Sequence, residues 1–146
     1  MSLLSPADQQ RLRESFAEMT RRVRLLFFTQ TLDCETCLQT RQILDELPAL
    51  TDNVIIEEVN FVLDKERVQE YGIDRVPAVA IAYDIDGAVT DSRIRFLGTP
   101  SGYEFISLVH AILLAGGRES ILTPENRIRV AGMTTPITMH VFTTPT

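Results

Sequence analysis

Apolar residues recur at Leu12, Phe16, Met19 and Val23, at intervals of four, three and four, and mark one face of a helix. Ser5-Pro6-Ala7-Asp8 supplies its start. Ser5 can cap, Pro6 suits the first helical position, and Asp8 favours the positive end of the helix. The pattern predicts a helix over about 6–21. The period then changes. Val23-Arg24-Leu25-Leu26-Phe27-Phe28 is apolar on both faces and predicts a central buried strand over 23–29. Cys37, Leu44 and Leu47 share the next helical face, with Leu38 and Ile43 beside it. This helix is expected from Cys34 to about Leu47, where Pro48 ends it. After a turn at Thr51-Asp52-Asn53, the β-branched run Val54–Asn60 predicts a second strand.

Asp64 to Gly72 reads as a short helix, capped by Asp64 and stopped by Gly72. Ala78–Tyr83 is a third strand, Asp86-Gly87 a hairpin turn, and Ser92–Leu97 the returning strand, alternating polar and apolar as an outer strand does. Ser101 and Glu104 have capping-box spacing. Phe105, Leu108, Val109 and Ile112 then give an amphipathic helix that Gly116-Gly117 ends. One α/β domain is thus expected over 1–115. Residues 116–136 read as a linker with a helical turn, and Ile137–Phe142 as one more strand.

Composition narrows the functional classes. Apolar content of 45% with 23% charged residues fits a soluble globular protein. A net charge of −6 gives no electrostatic case for binding nucleic acid or an anionic membrane. No apolar run is long enough to span a bilayer. Met1–Thr20 is polar and charged, unlike a signal peptide, so the expected address is cytoplasmic. There a lone cysteine pair points to metal binding or catalysis rather than to a structural staple.

The chain's two cysteines are Cys34 and Cys37, between a strand and a helix. A thiol at a helix N-terminus can be held as thiolate by free N–H groups and the helix dipole. Cys34 would then be the nucleophile and Cys37, one turn on, the resolving thiol. Asp33 and Glu35 oppose the dipole by charge repulsion, so only a modest lowering of the Cys34 pKa is expected. That favours a reductant or balanced exchanger over a dedicated oxidase. Half of a zinc site shared across a dimer, or an inert pair, are the competing readings.

Taken together, Cys34-Glu35-Thr36-Cys37, Arg75-Val76-Pro77-Ala78-Val79 and Phe96-Leu97-Gly98-Thr99-Pro100-Ser101-Gly102-Tyr103-Glu104-Phe105 resemble the thioredoxin/glutaredoxin family. With the extra N-terminal helix, the chain looks most like the first unit of the tandem protein disulfide oxidoreductases of thermophiles. The resemblance implies a thioredoxin-like fold: a mixed four-stranded sheet with helices on both faces. It implies a thiol–disulfide oxidoreductase that exchanges with protein disulfides and dithiols. Its redox group is the Cys34–Cys37 disulfide, without another cofactor or metal. Pro77 would be the cis-proline facing the cysteines, and Val76 would offer backbone groups to a substrate strand. A flavin-dependent enzyme like thioredoxin reductase becomes a candidate partner. The amino-terminal part of alkyl hydroperoxide reductase flavoproteins is similar, but its first unit lacks the cysteine pair. A non-catalytic docking module is therefore an alternative, against which the intact Cys34–Cys37 pair argues.

The chain also departs from the family. Many thioredoxins carry a buried carboxylate on the strand before the cysteines, where Leu25–Phe28 has none, and the Trp-Cys-Gly-Pro-Cys form is absent. Glu57 and Glu58 are candidate proton acceptors, although neither is expected to touch the site. His110 and His140 have no metal-ligand company and read as surface or packing residues. Tyr103 and Phe105 read as core. Finally, Ile137–Thr143 faintly repeats Val23–Thr29. Residues 137–146 are therefore expected as the first strand of a second, truncated unit. Left without its partners, that strand could pair two copies of the chain.

Overall fold

A computed structural model describes residues 2–144. Pro145 and Thr146, at the end of the expected second unit, lie outside the described residues, as does Met1. Helix α1 spans Pro6–Phe16, and the Ser5 side chain caps it by accepting the Asp8 N–H. The helix ends five residues before the expected boundary. Glu18 and Met19 turn back onto the Ser15 and Phe16 carbonyls, and the Thr20 N–H is drawn across to Gly116. Phe16, Met19 and Val23 are nevertheless all buried. Their spacing records burial, which outlasts the helix.

Strand β1 (Val23–Thr29) pairs in parallel with β2 (Val54–Asn60) and antiparallel with β3 (Ala78–Ile85). Strand β4 (Ala88–Leu97) returns alongside β3 and completes a mixed sheet of order β2-β1-β3-β4. Asp86 and Gly87, both at positive φ, form the two-residue turn between them. β4 starts four residues earlier than expected. A bulge at Ser92 and Arg93, between the pairings of Ile81 with Ile94 and of Ala82 with Asp91, interrupts the alternation that would have marked its first half.

Alternation along β1 sends its side chains to two cores. Val23, Leu25 and Phe27 pack with Phe16 of α1, with Leu44 of α2 (Cys37–Asp45), and with Leu108 and Ile112 of α4 (Tyr103–Ala115). Leu26 and Phe28 pack on the other face with Val59, Ala78, Ala80 and Tyr71, against α3 (Lys65–Glu70). Helices thus cover both faces. Asp64 caps α3 as its sequence suggests. Ser101, by contrast, does not cap α4: the cap position is Gly102, at φ +59, with no side-chain hydrogen bond.

Past residue 115 the structure differs from expectation. The linker contains a two-turn helix, α5 (Pro124–Ala131), capped by Thr123 and exposed on every side. Ile137–Phe142, expected as a strand, has no ladder partner and no strand structure. A single extended segment leaves its backbone groups to water, so apolar patterning cannot make it a strand without a neighbour. Thr143 ties the segment to the domain by donating to Glu104 at 2.8 Å.

Candidate active site

The site forms where β1 ends. Phe28 pairs with Ala78 at the start of β3, and Thr29 with Asn60 at the end of β2. The loop after β1 and the segment before β3 therefore reach the same end of the sheet. Asp33 adopts φ +56 in that loop, and Gln30 donates to its carbonyl at 3.3 Å. Cys34 follows, half-buried, and is disulfide-bonded to Cys37 with a Cα separation of 5.5 Å. Cys37 is 5% exposed. Cys34 is therefore the residue of the pair that an incoming group can reach more readily.

The helix starts later than expected: Thr36 is the N-cap and Cys37 the first helical residue. Cys34 lies outside the helix, ahead of its free N–H groups, and the first turn carries no acidic side chain. Asp33 and Glu35 are both exposed to water, which screens their repulsion of charge at Cys34.

Before β3, the Val76–Pro77 peptide bond is cis. Pro77 is buried and Val76 half-buried. The Pro77 carbonyl accepts the Gly98 N–H at 2.8 Å, which ties this segment to the end of β4.

The two candidate carboxylates have other partners. Glu57 accepts from Arg24 at 2.6 Å and from Arg67 at 2.9 Å. Burial pushes its carboxyl up, but the two guanidinium bonds outweigh that and leave it below the usual range. Glu58 pairs with Arg41. Neither offers a free proton acceptor. His110 and His140 are exposed, and no group of three His, Cys, Asp or Glu among the described residues is placed to hold a metal ion. Tyr103, expected in the core, is 75% exposed at the start of α4, whereas Phe105 is half-buried. No helix among the described residues is long and apolar enough to cross a membrane.

The sequence reading missed one polar contact beside the cysteines. Thr40, one turn after Cys37, is wholly buried, and its hydroxyl lies 2.8 Å from both the Thr36 carbonyl and the Thr99 hydroxyl. A β-branched hydroxyl residue on the inner side of a helix was its only trace in the sequence.

A disulfide between a half-buried and a buried cysteine, at the end of a central strand, can do thiol–disulfide exchange. No family model matches the chain. A curated protein of Methanothermobacter thermautotrophicus described as a probable thioredoxin is 28% identical over 78 residues, covering 53% of this chain and 81% of the relative. The N-terminal domain of alkylhydroperoxide reductase AhpF from Enterococcus faecalis superposes with a TM-score of 0.78 at 27% identity. That match covers 87% of this chain and 59% of the other. A protein disulfide oxidoreductase from Aeropyrum pernix gives a TM-score of 0.72 at 25% identity, over 88% of this chain and 54% of the other. The chain therefore spans little more than half the length of these two structures. The strand order, the disulfide that closes the loop after β1 and these likenesses in sequence and structure agree: the chain belongs to the thioredoxin superfamily.

Proposed function

We propose that the protein is a thiol–disulfide oxidoreductase acting on protein substrates, with Cys34 as nucleophile and Cys37 as resolving thiol. The observation that carries this reading is the Cys34–Cys37 disulfide itself, half-exposed at Cys34 and enclosed at Cys37. In the reducing direction, the Cys34 thiolate attacks one sulfur of a substrate disulfide and releases the other as a thiolate. Cys37, once deprotonated, attacks Cys34 of the mixed disulfide and releases the second substrate sulfur. The substrate gains two electrons and the protein is left as the Cys34–Cys37 disulfide.

Val76 presents its backbone to an extended substrate segment, and Pro77 faces the cysteines beside it. The reductant is a flavin-dependent enzyme of the thioredoxin-reductase kind, and the setting is the cytoplasm. Residues 116–136 connect to a second thioredoxin-like unit that starts at 137. The coverage of only 59% and 54% of the two similar structures supports that arrangement. Where no second unit follows, the 137–142 segment pairs with that of another copy.

The resemblance of the sequence to the amino-terminal part of alkyl hydroperoxide reductase flavoproteins leaves a second reading, a docking module that passes no electrons. Reduction of insulin by dithiothreitol separates the two. Wild-type protein is expected to accelerate it and Cys34→Ser to lose the acceleration. Equal rates for both would overturn the enzymatic reading, and zinc at one ion per two reduced chains would favour a shared metal site instead.

A further inference from the structure

Thr40 is the one buried polar residue among the described core positions, and every polar atom it buries has a partner. Its hydroxyl has a single proton. Because that proton goes to the Thr36 carbonyl, the hydroxyl oxygen is left to accept, and Thr99 is the donor of the second bond. The contacts form a relay from Thr99 through Thr40 to Thr36. The Thr40 N–H also donates to the Thr36 carbonyl, at 2.9 Å.

Thr36 is the N-cap of α2 and is joined directly to Cys37. In a trans peptide the C=O and the following N–H point in opposite directions. Two donors from Thr40 hold the Thr36 carbonyl along the helix. The Cys37 N–H is one of the free N–H groups at the start of α2, the end of the helix that Cys34 precedes. Thr99 follows Gly98, whose N–H holds the Pro77 carbonyl. The same loop thus grips both the helix that carries Cys37 and the segment that carries Val76 and Pro77.

We infer that Thr40 and Thr99 are positioning residues for the redox pair. Their hydroxyl relay fixes the first turn of α2, with its free N–H groups, behind Cys34 and so stabilises the Cys34 thiolate. This rests on the exchange reading above and extends it to two residues outside the Cys-x-x-Cys segment. A hydrogen bond to an anion outweighs one to a neutral group, so loss of the relay should act on the thiolate more than on the thiol.

The test is alkylation of the reduced full-length protein by iodoacetamide, followed at Cys34 by mass as a function of pH. Thr40→Val, which keeps shape and removes the hydroxyl, should alkylate about threefold to tenfold more slowly at neutral pH and move the rate profile to higher pH. Thr40→Ser should restore the wild-type profile. Thr99→Val should move it in the same direction but less far, because the Thr40–Thr36 bond remains. A wild-type profile for Thr40→Val would overturn the inference, as would equal displacement by Thr40→Val and Thr40→Ser, which would mark a packing effect. If Thr40→Val does not fold, the half-buried Thr99→Val decides: an unshifted profile overturns the inference. Alkylation does not depend on turnover, so failure of the wild-type protein to reduce insulin would overturn the exchange reading and leave this measurement intact.

Discussion

Arg24 in β1 donates to Glu57 in β2 at 2.6 Å, and the same guanidinium donates to Asp84 in β3 at 2.6 and 3.0 Å. One cation in the middle strand thus joins both neighbouring strands. It does so on the face where α3, only six residues long, leaves part of the sheet without an apolar cover. The three side chains are only about a quarter exposed, so the charges are partly desolvated as well as paired.

Removing the cation should cost more than removing an ordinary surface charge. Arg24→Met takes the shared cation away, leaving Asp84 without its guanidinium and Glu57 with Arg67 alone. It is expected to lower stability by roughly 1–3 kcal/mol, read from the urea midpoint. The pH dependence has a definite sign. Asp84 is held below the usual carboxylate range by its bond from Arg24, and Glu57 is held low despite its burial. Their contribution is complete above the unfolded values of about 4 and is lost as pH falls through the folded ones. Wild-type protein should therefore lose stability below about pH 4 more steeply than Arg24→Met, followed by thermal melts from pH 7 down to pH 2.

Gly117 sits at φ +110, and a Cβ there would come within 2.1 Å of the Thr20 hydroxyl. Thr20 cannot easily retreat, because its N–H and hydroxyl both bond the Gly116 carbonyl. Gly117→Ala should destabilise by roughly 1–3 kcal/mol through strain and crowding together. Thr20→Ala in the same background should recover part of that loss in denaturant titration.

Ile128 on α5 is 73% exposed, and no residue of that helix is buried. Ile128→Ser should change the stability of this chain by no more than about 0.5 kcal/mol. A larger loss would show that another surface covers α5 in solution, and sedimentation would identify a second copy as that surface.

If Cys34 attacks and Cys37 resolves, Cys37→Ser should stop after the first step. Incubation of the reduced variant with a protein disulfide should then yield a stable mixed disulfide through Cys34. Non-reducing electrophoresis would show it as a conjugate that Cys34→Ser does not form.

The order of elements up to residue 115, the two capped helix starts at Ser5 and Asp64, and the hairpin at Asp86-Gly87 follow from the sequence alone. Each rests on local chemistry: an alternation, a capping side chain, or a residue suited to positive φ. The cysteine pair at the end of β1 was legible for the same reason. Its environment was decided by contacts far apart in the chain. The end of α1 depends on Gly116, and the roles of Glu57 and Glu58 on Arg24, Arg67 and Arg41. The Thr40–Thr99 bond spans 59 positions. Ile137–Phe142 shows the limit most plainly. Its side chains have the pattern of a strand, but a strand exists only when another backbone takes its hydrogen bonds, and that partner is a property of the tertiary structure.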